Sequence, residues 1–200
     1  MAIKFQFNKI ALQNLRKQLK IRETALPTLK SKESALRFTV KKYKDMLDSL
    51  QNEFEKKIAS ISKIKRLWVE FPEDIFSLKE VVLEEKKIAG IKTPEIKEII
   101  FSIKDFSCFL NPSWVTSGTL ILKEIAELLT KIKITEKSIT ILEYARKKTT
   151  QKVNLYEKVQ IPAYSEAILK IKRFLEDVEN LEKSAQKITK QRQAALEMEA

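Results

Sequence analysis

The sequence predicts a mostly α-helical fold, in which the N- and C-terminal segments form a long antiparallel two-helix coiled coil. A small head carrying a short β-hairpin is inserted between them. The 200 residues include only 2 glycines and 5 prolines, and a scarcity of these turn-forming residues indicates long elements. Charged residues make up 33% of the chain, which is typical of long helices and coiled coils. Near both ends, apolar residues recur with an average step of about 3.5, the seam of a left-handed coiled coil.

The first predicted element is a helix over residues 8–71. Its apolar seam is narrow, so it requires a partner helix rather than a broad core. Arg22, Glu33 and Lys57 are polar interruptions of the stripe. Pro72, which follows Phe71, is a natural end for the helix. The predicted seam residues of this helix are Leu12, Leu15, Leu19, Leu26, Leu29, Leu36, Val40, Leu47, Leu50, Phe54 and Ile61.

The second predicted element is the head, residues 72–118, with a β-hairpin and a short helix. Two short β-branched segments, Val81–Glu84 and Ile88–Lys92, are interpreted as the hairpin strands. We expect four aromatic residues to close a small core: Phe101, Phe106, Phe109 and Trp114. An aromatic platform for stacking nucleic-acid bases is the alternative interpretation. The net charge of −2 over residues 71–118 argues against it, because phosphate would be repelled.

The third predicted element is a helix over residues 119–192, which Ser117–Thr119 introduces. Its stripe runs to Tyr156 and resumes at Tyr164, after Pro162. If the two helices pair antiparallel and Pro72 faces Gly118, the numbers of facing residues sum to about 190. Pro27 and Pro162 then lie at one level and form a paired kink. The predicted seam residues here are Ile125, Leu128, Ile132, Ile139, Leu142, Val153, Ile168, Ile171, Leu175 and Val178.

The composition argues against catalysis in this chain. There is no histidine, the commonest general base and transition-metal ligand. A single cysteine makes a structural zinc site untenable, and two isolated glycines cannot form a phosphate-binding loop. We therefore expect no catalytic residue, no cofactor-binding residue, no metal ligand and no cofactor.

Cellular location is addressed by three observations. No run of 18 apolar residues exists, so we expect no membrane insertion. The first residues lack the apolar region of a secretory signal. Cys108 has no partner for an internal disulfide, which fits a cytosolic protein, and we expect it to be a small packed side chain.

The net charge of +12 is unevenly distributed. Residues 1–70 carry +10 and residues 119–200 carry +4. Such an excess attracts nucleic acid, anionic lipid or an acidic protein surface. Charge alone does not choose among these partners.

Three motifs, in order, carry a resemblance to a known family. Leu26–Leu36 resembles the L-x-L-L-K-x-K-R-D-x-L stretch of the D subunit of V/A-type (vacuolar/archaeal-type) rotary ATPases, and Lys87–Pro94 resembles its N-x-x-G-V-K-x-P segment. Thr150–Glu157, followed by Ile161 and Pro162, resembles T-R-R-V-N-x-L-E and I-P, and Lys170–Glu176 continues the match. The resemblance spans most of residues 8–190. The chain departs from the family pattern at four positions: Pro27, Glu33, Ser34 and Gln151.

The resemblance implies a central rotor shaft that couples ATP hydrolysis or synthesis in a catalytic ring to proton or sodium translocation. The implied partners are the A and B subunits of the ring, a small F-like stalk subunit, and a funnel-shaped subunit that links to the membrane ion ring. The shaft would lie in the cytoplasm, peripheral to the inner face of the cell membrane. The candidates for contact with the collar of the ring are Lys20, Arg22, Lys30, Lys32, Lys172, Arg173 and Lys183.

Other functions remain open from the residues alone. A basic coiled-coil arm that binds nucleic acid would require a stripe of phosphate contacts and salt-sensitive binding. A cytoskeletal or adaptor coiled coil shares the heptads but leaves the inserted head unexplained. An enzyme lacks residues for its chemistry.

Overall fold

The computed structural model describes residues 4–62, 66–72, 74–105, 107 and 111–199, with the backbone alone over 195–199. The expectations for Phe106, Cys108 and Phe109 lie outside the described residues. The elements, in order, are α1 (Lys9–Ser62), a 3₁₀ turn (Leu67–Glu70), β1 (Phe76–Ile88), β2 (Ile91–Ile103), α2 (Val115–Asn154), a π-helical turn (Leu155–Gln160) and α3 (Ile161–Glu199).

The chain divides into two compact units. One unit comprises Met1–Ser31 with Thr149–Ala200, and the other comprises Lys32–Lys148. The predicted fold class is confirmed, since the chain is mostly helical, has long N- and C-terminal helices and carries a two-stranded antiparallel hairpin between them. The predicted domain division remains a prediction.

Helix α1 begins where Asn8 caps it. The Asn8 side-chain oxygen Oδ1 accepts a 2.6 Å hydrogen bond from the backbone N–H of Ala11, one of the donors that lacks a partner within the helix. The described helix ends at Ser62, whereas the sequence pattern predicted an end at Phe71. Pro27 lies inside it without ending it.

The first unit is an antiparallel pairing of the start of α1 with the π turn and α3. Its core contains Leu15 of α1 and Ala167, Ile168 and Ile171 of α3. Lys30 bonds Glu157 at 2.6 Å, close to residue 160, where the expected register placed its partner. Apolar burial at this seam provides the cohesion, at about 25 cal/mol for each Å² of apolar surface removed from water.

The π turn absorbs an extra residue in the C-terminal stripe. Tyr156 and Tyr164 are eight residues apart, whereas the heptad places equivalent positions seven apart. The backbone N–H of Ile161 bonds the carbonyl of Tyr156, five residues back, so the turn is wider by one residue. The residues before and after the turn therefore stay on one face. Pro162 follows directly, and it has no N–H to donate in an α-helical pattern.

The second unit pairs the rest of α1 with α2 and adds the hairpin. Leu36 and Leu142 are fully buried, and Val40 packs with them. Lys44 pairs with Glu143 at 2.6 Å, again in antiparallel order. Ile88 and Ile91, on either side of the hairpin turn, pack on this cluster.

The hairpin differs from the predicted one in position and length. The predicted second strand, Ile88–Lys92, contains the turn, and the second strand is instead Ile91–Ile103. Ala89 and Gly90 have φ values of 50° and 79°, which are the two positive angles that a two-residue type I′ turn requires. The residues around the turn are apolar, so the sequence pattern was interpreted as a strand.

Helix α2 begins earlier than expected. Ser117–Thr119 lie within its first turns, since α2 starts at Val115. The Thr119 hydroxyl donates to the carbonyl of Val115 at 2.6 Å, so this threonine satisfies its own polar group inside the helix. Gly118 is tolerated in the helix because the Trp114 and Phe71 rings occupy the space of a side chain there.

Candidate functional site

Surfaces for protein contact are the candidate sites of this chain. Within the described residues, no group of three or more Asp, Glu, Cys or His side chains could hold a metal ion. Likewise, no helix in the described part of the chain has the length and apolar character needed to cross a membrane.

The predicted seam residues of both helices are all buried or half-buried. The three polar interruptions in α1 are half-buried too, and each has a partner. Lys57 bonds Glu124 of α2 at 2.6 Å, and Glu33 bonds Arg37 on the same helix at 3.1 Å. The hydrogen bond that Lys57 donates to Glu124 raises the pKa of the lysine above its ordinary value of 10.5.

Most of the candidate collar residues are exposed. Lys20, Lys172 and Arg173 project into solvent. Lys183 pairs with Glu179 at 2.8 Å, and this hydrogen bond lowers the pKa of Glu179. The ammonium of Lys32 lies near the hairpin turn, 3.8 Å from the point that a Cβ at Gly90 would occupy.

Arg22 differs from the other candidates because its guanidinium lies inside the helix pair. Its Nε donates to Oε1 of Gln160 at 2.6 Å, and its NH1 donates to the carbonyl and side chain of Gln18 at 2.9 and 2.7 Å. The guanidinium carbon lies 4.5 Å from the ring centre of Tyr164 and 5.9 Å from that of Tyr156. These contacts occupy the Nε and NH1 donors of the guanidinium.

A groove of about 700 Å³ lies between β1 and α2. Three of its apolar side chains are unusually exposed: Leu78 at 48%, Leu83 at 46% and Leu129 at 38%. An exposed apolar groove bordered by polar residues is typical of a protein-binding site. The other lining residues are Val81, Ala126, Thr130, Lys133, Ile134, Glu136, Lys137 and Thr140.

Two features fix the hairpin that forms one wall of this groove. The Ser138 hydroxyl of α2 donates to the carbonyl of Pro94 in β2 at 3.0 Å. Across the strands, Lys86 pairs with Glu95 at 2.6 Å and Lys92 with Glu85 at 2.7 Å. These hydrogen bonds raise the pKa of both lysines.

Two bulges shape the same wall. Register shifts after Leu78 and Val82 leave Lys79 of β1 and Lys97 of β2 without an opposite residue. A bulge bends its strand and increases the local twist. The hairpin can therefore curve along α2 rather than lie flat.

An aromatic cluster lies near the junction of the 3₁₀ turn and α2. The Trp68 and Trp114 ring centres are 5.5 Å apart, and Phe71 lies 5.5 Å from Trp68 and 5.8 Å from Trp114. Phe101 instead stacks on Phe76 across the hairpin, with ring centres 5.3 Å apart. The expected core of Phe101, Phe106, Phe109 and Trp114 stays a prediction, because two of its members lie outside the described residues.

Exposed apolar side chains are close in sequence to this aromatic cluster. Val69 is 87% exposed, and Leu120 is 62% exposed. Leu67, on the same 3₁₀ turn as Val69, is also exposed. We call Leu67, Val69 and Leu120 the foot surface.

The sequence pattern singled out neither Gln160 at the π turn nor the groove leucines, and it gave Tyr164 only as a residue of the apolar stripe. The eight-residue step from Tyr156 to Tyr164 was a readable signal for the π turn. No comparable signal marked the groove, because it depends on how the hairpin packs on α2.

Comparison with known proteins places this architecture in a family. The sequence model of the ATP synthase D-subunit family matches residues 11–191. A V-type ATP synthase D subunit of Borreliella burgdorferi is 32% identical over 176 residues, which are 87% of each chain. Proteins of the same name from Chlamydia abortus and Chlamydia caviae are 26% and 27% identical, over 86% of this chain and 82% of theirs.

Proposed function

This chain belongs to the family of ATP synthase D subunits, and from that premise we propose that it is the central rotor shaft of a V/A-type ATP synthase or ATPase. As the shaft, it couples ATP hydrolysis or synthesis in the catalytic ring to proton or sodium translocation. The observation that carries the proposal is the family match over residues 11–191, which includes the hairpin and nearly all of both long helices. The alternatives, a nucleic-acid-binding arm or an adaptor, are not favoured by that match.

The shaft has no catalytic role in this proposal. ATP is handled by the A and B subunits of the surrounding ring, and the shaft transmits torque. A helix pair held by an apolar seam resists bending and twisting better than a single helix. Cross-helix pairs such as Lys44 with Glu143 and Lys57 with Glu124 add links between the two helices. Each exposed pair contributes little by itself.

We assign contact with the collar of the ring to the exposed basic residues. We retain the exposed candidates Lys20, Lys30, Lys32, Lys172, Arg173 and Lys183. Arg22 stays the weakest candidate, because its Nε and NH1 already donate to Gln160 and Gln18. Solvated charges suit a sliding contact, because their interactions are weak and screened by salt. An acidic collar would attract them without holding one angle of rotation.

The small F-like subunit would bind the groove between β1 and α2. The exposure of Leu78, Leu83 and Leu129 supports this assignment. A partner that rotates with the shaft needs a lasting contact, and buried apolar anchors provide one better than surface charges do. The foot surface would meet the funnel-shaped subunit by the same reasoning.

Location follows from these partners. The chain would lie in the cytoplasm, peripheral to the inner face of the cell membrane, as part of the complex. The experiment that tests the proposal is purification of the tagged chain from its native membranes with identification of the proteins that accompany it. Co-purification of A, B and F-like subunits in fixed ratio is expected. Recovery of nucleic acid or filament proteins without ATPase subunits would refute the rotor assignment.

A matched pair of variants tests the groove. Leu129 and Ile141 both lie on α2 and are both 38% exposed, but only Leu129 lines the groove. We expect Leu129→Glu to lose the F-like subunit in the purification and Ile141→Glu to retain it. Equal retention in both variants would place the F-like subunit elsewhere.

A further inference from the structure

Helix α3 carries two apolar stripes that are one residue out of phase. The first is the seam that faces α1 and contains Ile168, Ile171, Leu175 and Val178. The second is spaced by sevens and consists of Phe174, Leu181 and Ile188; seven residues before Phe174 lies Ala167, which is already buried in the core beside Ile168. Phe174, Leu181 and Ile188 are 43%, 70% and 52% exposed.

The two stripes are related by a small rotation of the helix. One residue of an α-helix corresponds to about 100° of rotation and 1.5 Å of rise. The π turn at Leu155–Gln160 contains one extra residue, so refolding it as a regular α-helix would turn α3 by that amount. The second stripe would then move toward α1. Lys170 and Asp177 would alternate with it in the seam, so this phase is a weaker competitor.

The Arg22 guanidinium contacts residues at both edges of the π turn. It bonds Gln160, the last residue of the turn, and lies against Tyr156 inside the turn and Tyr164 beyond it. A one-residue rotation of α3 would separate these contacts. An apolar side chain at this seam position could instead pack against either stripe.

We propose that Arg22 is a positioning residue that fixes the rotational phase of α3 by holding the π turn in place. A polar residue in a coiled-coil seam, as the half-buried Arg22 is, specifies register even where it adds little to stability. Hydrogen bonds from a charged donor are among the stronger ones in proteins. In the rotor, on which this consequence rests, a fixed phase prevents torque from being lost as helix rotation within the shaft.

The test measures phase by disulfide formation in the purified full chain, with Cys108 replaced by serine. Leu15→Cys with Ile171→Cys reports the phase seen here, since both residues belong to one core cluster. Leu15→Cys with Lys170→Cys reports the rotated phase. In each pair, cross-linking is compared with Arg22 present and in Arg22→Leu. Arg16→Leu is the control, because it makes the same change at an exposed position of α1.

We expect Arg22→Leu to raise the ratio of rotated to native cross-link about tenfold, equivalent to about 1.4 kcal/mol, and Arg16→Leu to leave it unchanged. Gln160→Leu, which removes the acceptor, should act in the same direction. Helix content, measured by circular dichroism, should stay constant in all variants. A variant with lower helix content and an unchanged ratio would mean that Arg22 only stabilises the pair, and the proposal would fall. An unchanged ratio in Gln160→Leu would also overturn it.

A second readout separates this inference from the rotor assignment. In the assembled complex, Arg22→Leu should lower the ions translocated per ATP hydrolysed while ATP hydrolysis continues. If the chain assembles with no ATPase subunits, the rotor assignment fails and the cross-link ratio still decides the phase. If the complex assembles and its coupling is unchanged although the ratio rises, the effect on torque is refuted.

Discussion

Leu142 is the side chain whose removal tests how the hairpin is anchored to the helices. It is fully buried in α2, and it packs with Leu36 and Val40 of α1. Ile88 and Ile91, at the hairpin turn, pack on the same cluster. Replacing Leu142 by alanine should therefore weaken the helix pair and the hairpin together.

The cost can be worked from the atoms removed. Leu142→Ala deletes three carbon atoms, and each buried carbon contributes about 0.8 kcal/mol. The cavity that remains adds a further cost, because the surrounding helices relax only in part. We expect a total of about 3 kcal/mol, within the range of about 2 to 5 kcal/mol typical of buried leucine truncations.

Hydrogen exchange measured by mass spectrometry is the assay, because it resolves the hairpin from the rest of the chain. A loss of about 3 kcal/mol should speed exchange of the β1 and β2 amides on the order of a hundredfold. Leu120→Ala is the matched control, since it makes the same change on α2 at a side chain that is 62% exposed and does not line the groove beside the hairpin. The reasoning is refuted if Leu142→Ala speeds hairpin exchange no more than Leu120→Ala does.

Three further predictions concern the turn, the aromatic cluster and an interhelical pair. Ala89→Asn should stabilise the hairpin by about 1 kcal/mol, because asparagine tolerates positive φ better than alanine does. Gly90→Ala should destabilise it. Hydrogen-exchange rates of the hairpin amides measure both effects. Gly118→Ala should lower the free energy of unfolding, measured in urea, by about 1 kcal/mol despite the helix propensity of alanine. The reason is that its Cβ would lie 2.9 Å from the Trp114 ring. Equal or greater stability would show that the ring moves aside. Because the pKa of Lys57 is raised in the folded chain, its pair with Glu124 stabilises the fold below pH 10.5, and this stability is lost as the pH rises through the folded-state pKa. Glu124→Gln should therefore be less stable than the unchanged chain near neutral pH and equally stable above that pKa.

The long helices could be predicted from sequence because their signal is repeated many times. A 3.5-residue step over tens of residues outweighs local exceptions, and Pro27 did not end α1. Element ends carry less information. The expected helix end at Phe71 followed the obvious proline, whereas the described α1 ends at Ser62.

The hairpin shows where a local pattern is ambiguous. Ile88–Ile91 reads as a continuous apolar stretch, and alanine seldom occupies the first central position of a type I′ turn. Only the cross-strand partners, such as Lys87 with Lys92, settle the register. These pairs cannot be read from one strand alone.

Candidate surface residues were harder to assign than the fold, since exposure and pairing depend on both helices. Arg22 and Lys20 are equivalent by charge and near neighbours in sequence. In the structure one contacts Gln160 and two tyrosines, and the other is exposed. The useful signal for Arg22 was its place in the apolar stripe, where a charged side chain needs a partner.

Polar residues in the seam select the register in which the helices pair. A seam of leucine and isoleucine stabilises many registers almost equally, because apolar contacts are not directional. Arg22 and Lys57 each require one acceptor on the opposite helix, Gln160 and Glu124 respectively. A shift in register would leave these half-buried charges without those acceptors, which is more costly than exchanging one leucine contact for another. The apolar residues therefore hold the helices together, and the sparse polar residues select the single arrangement in which they pair.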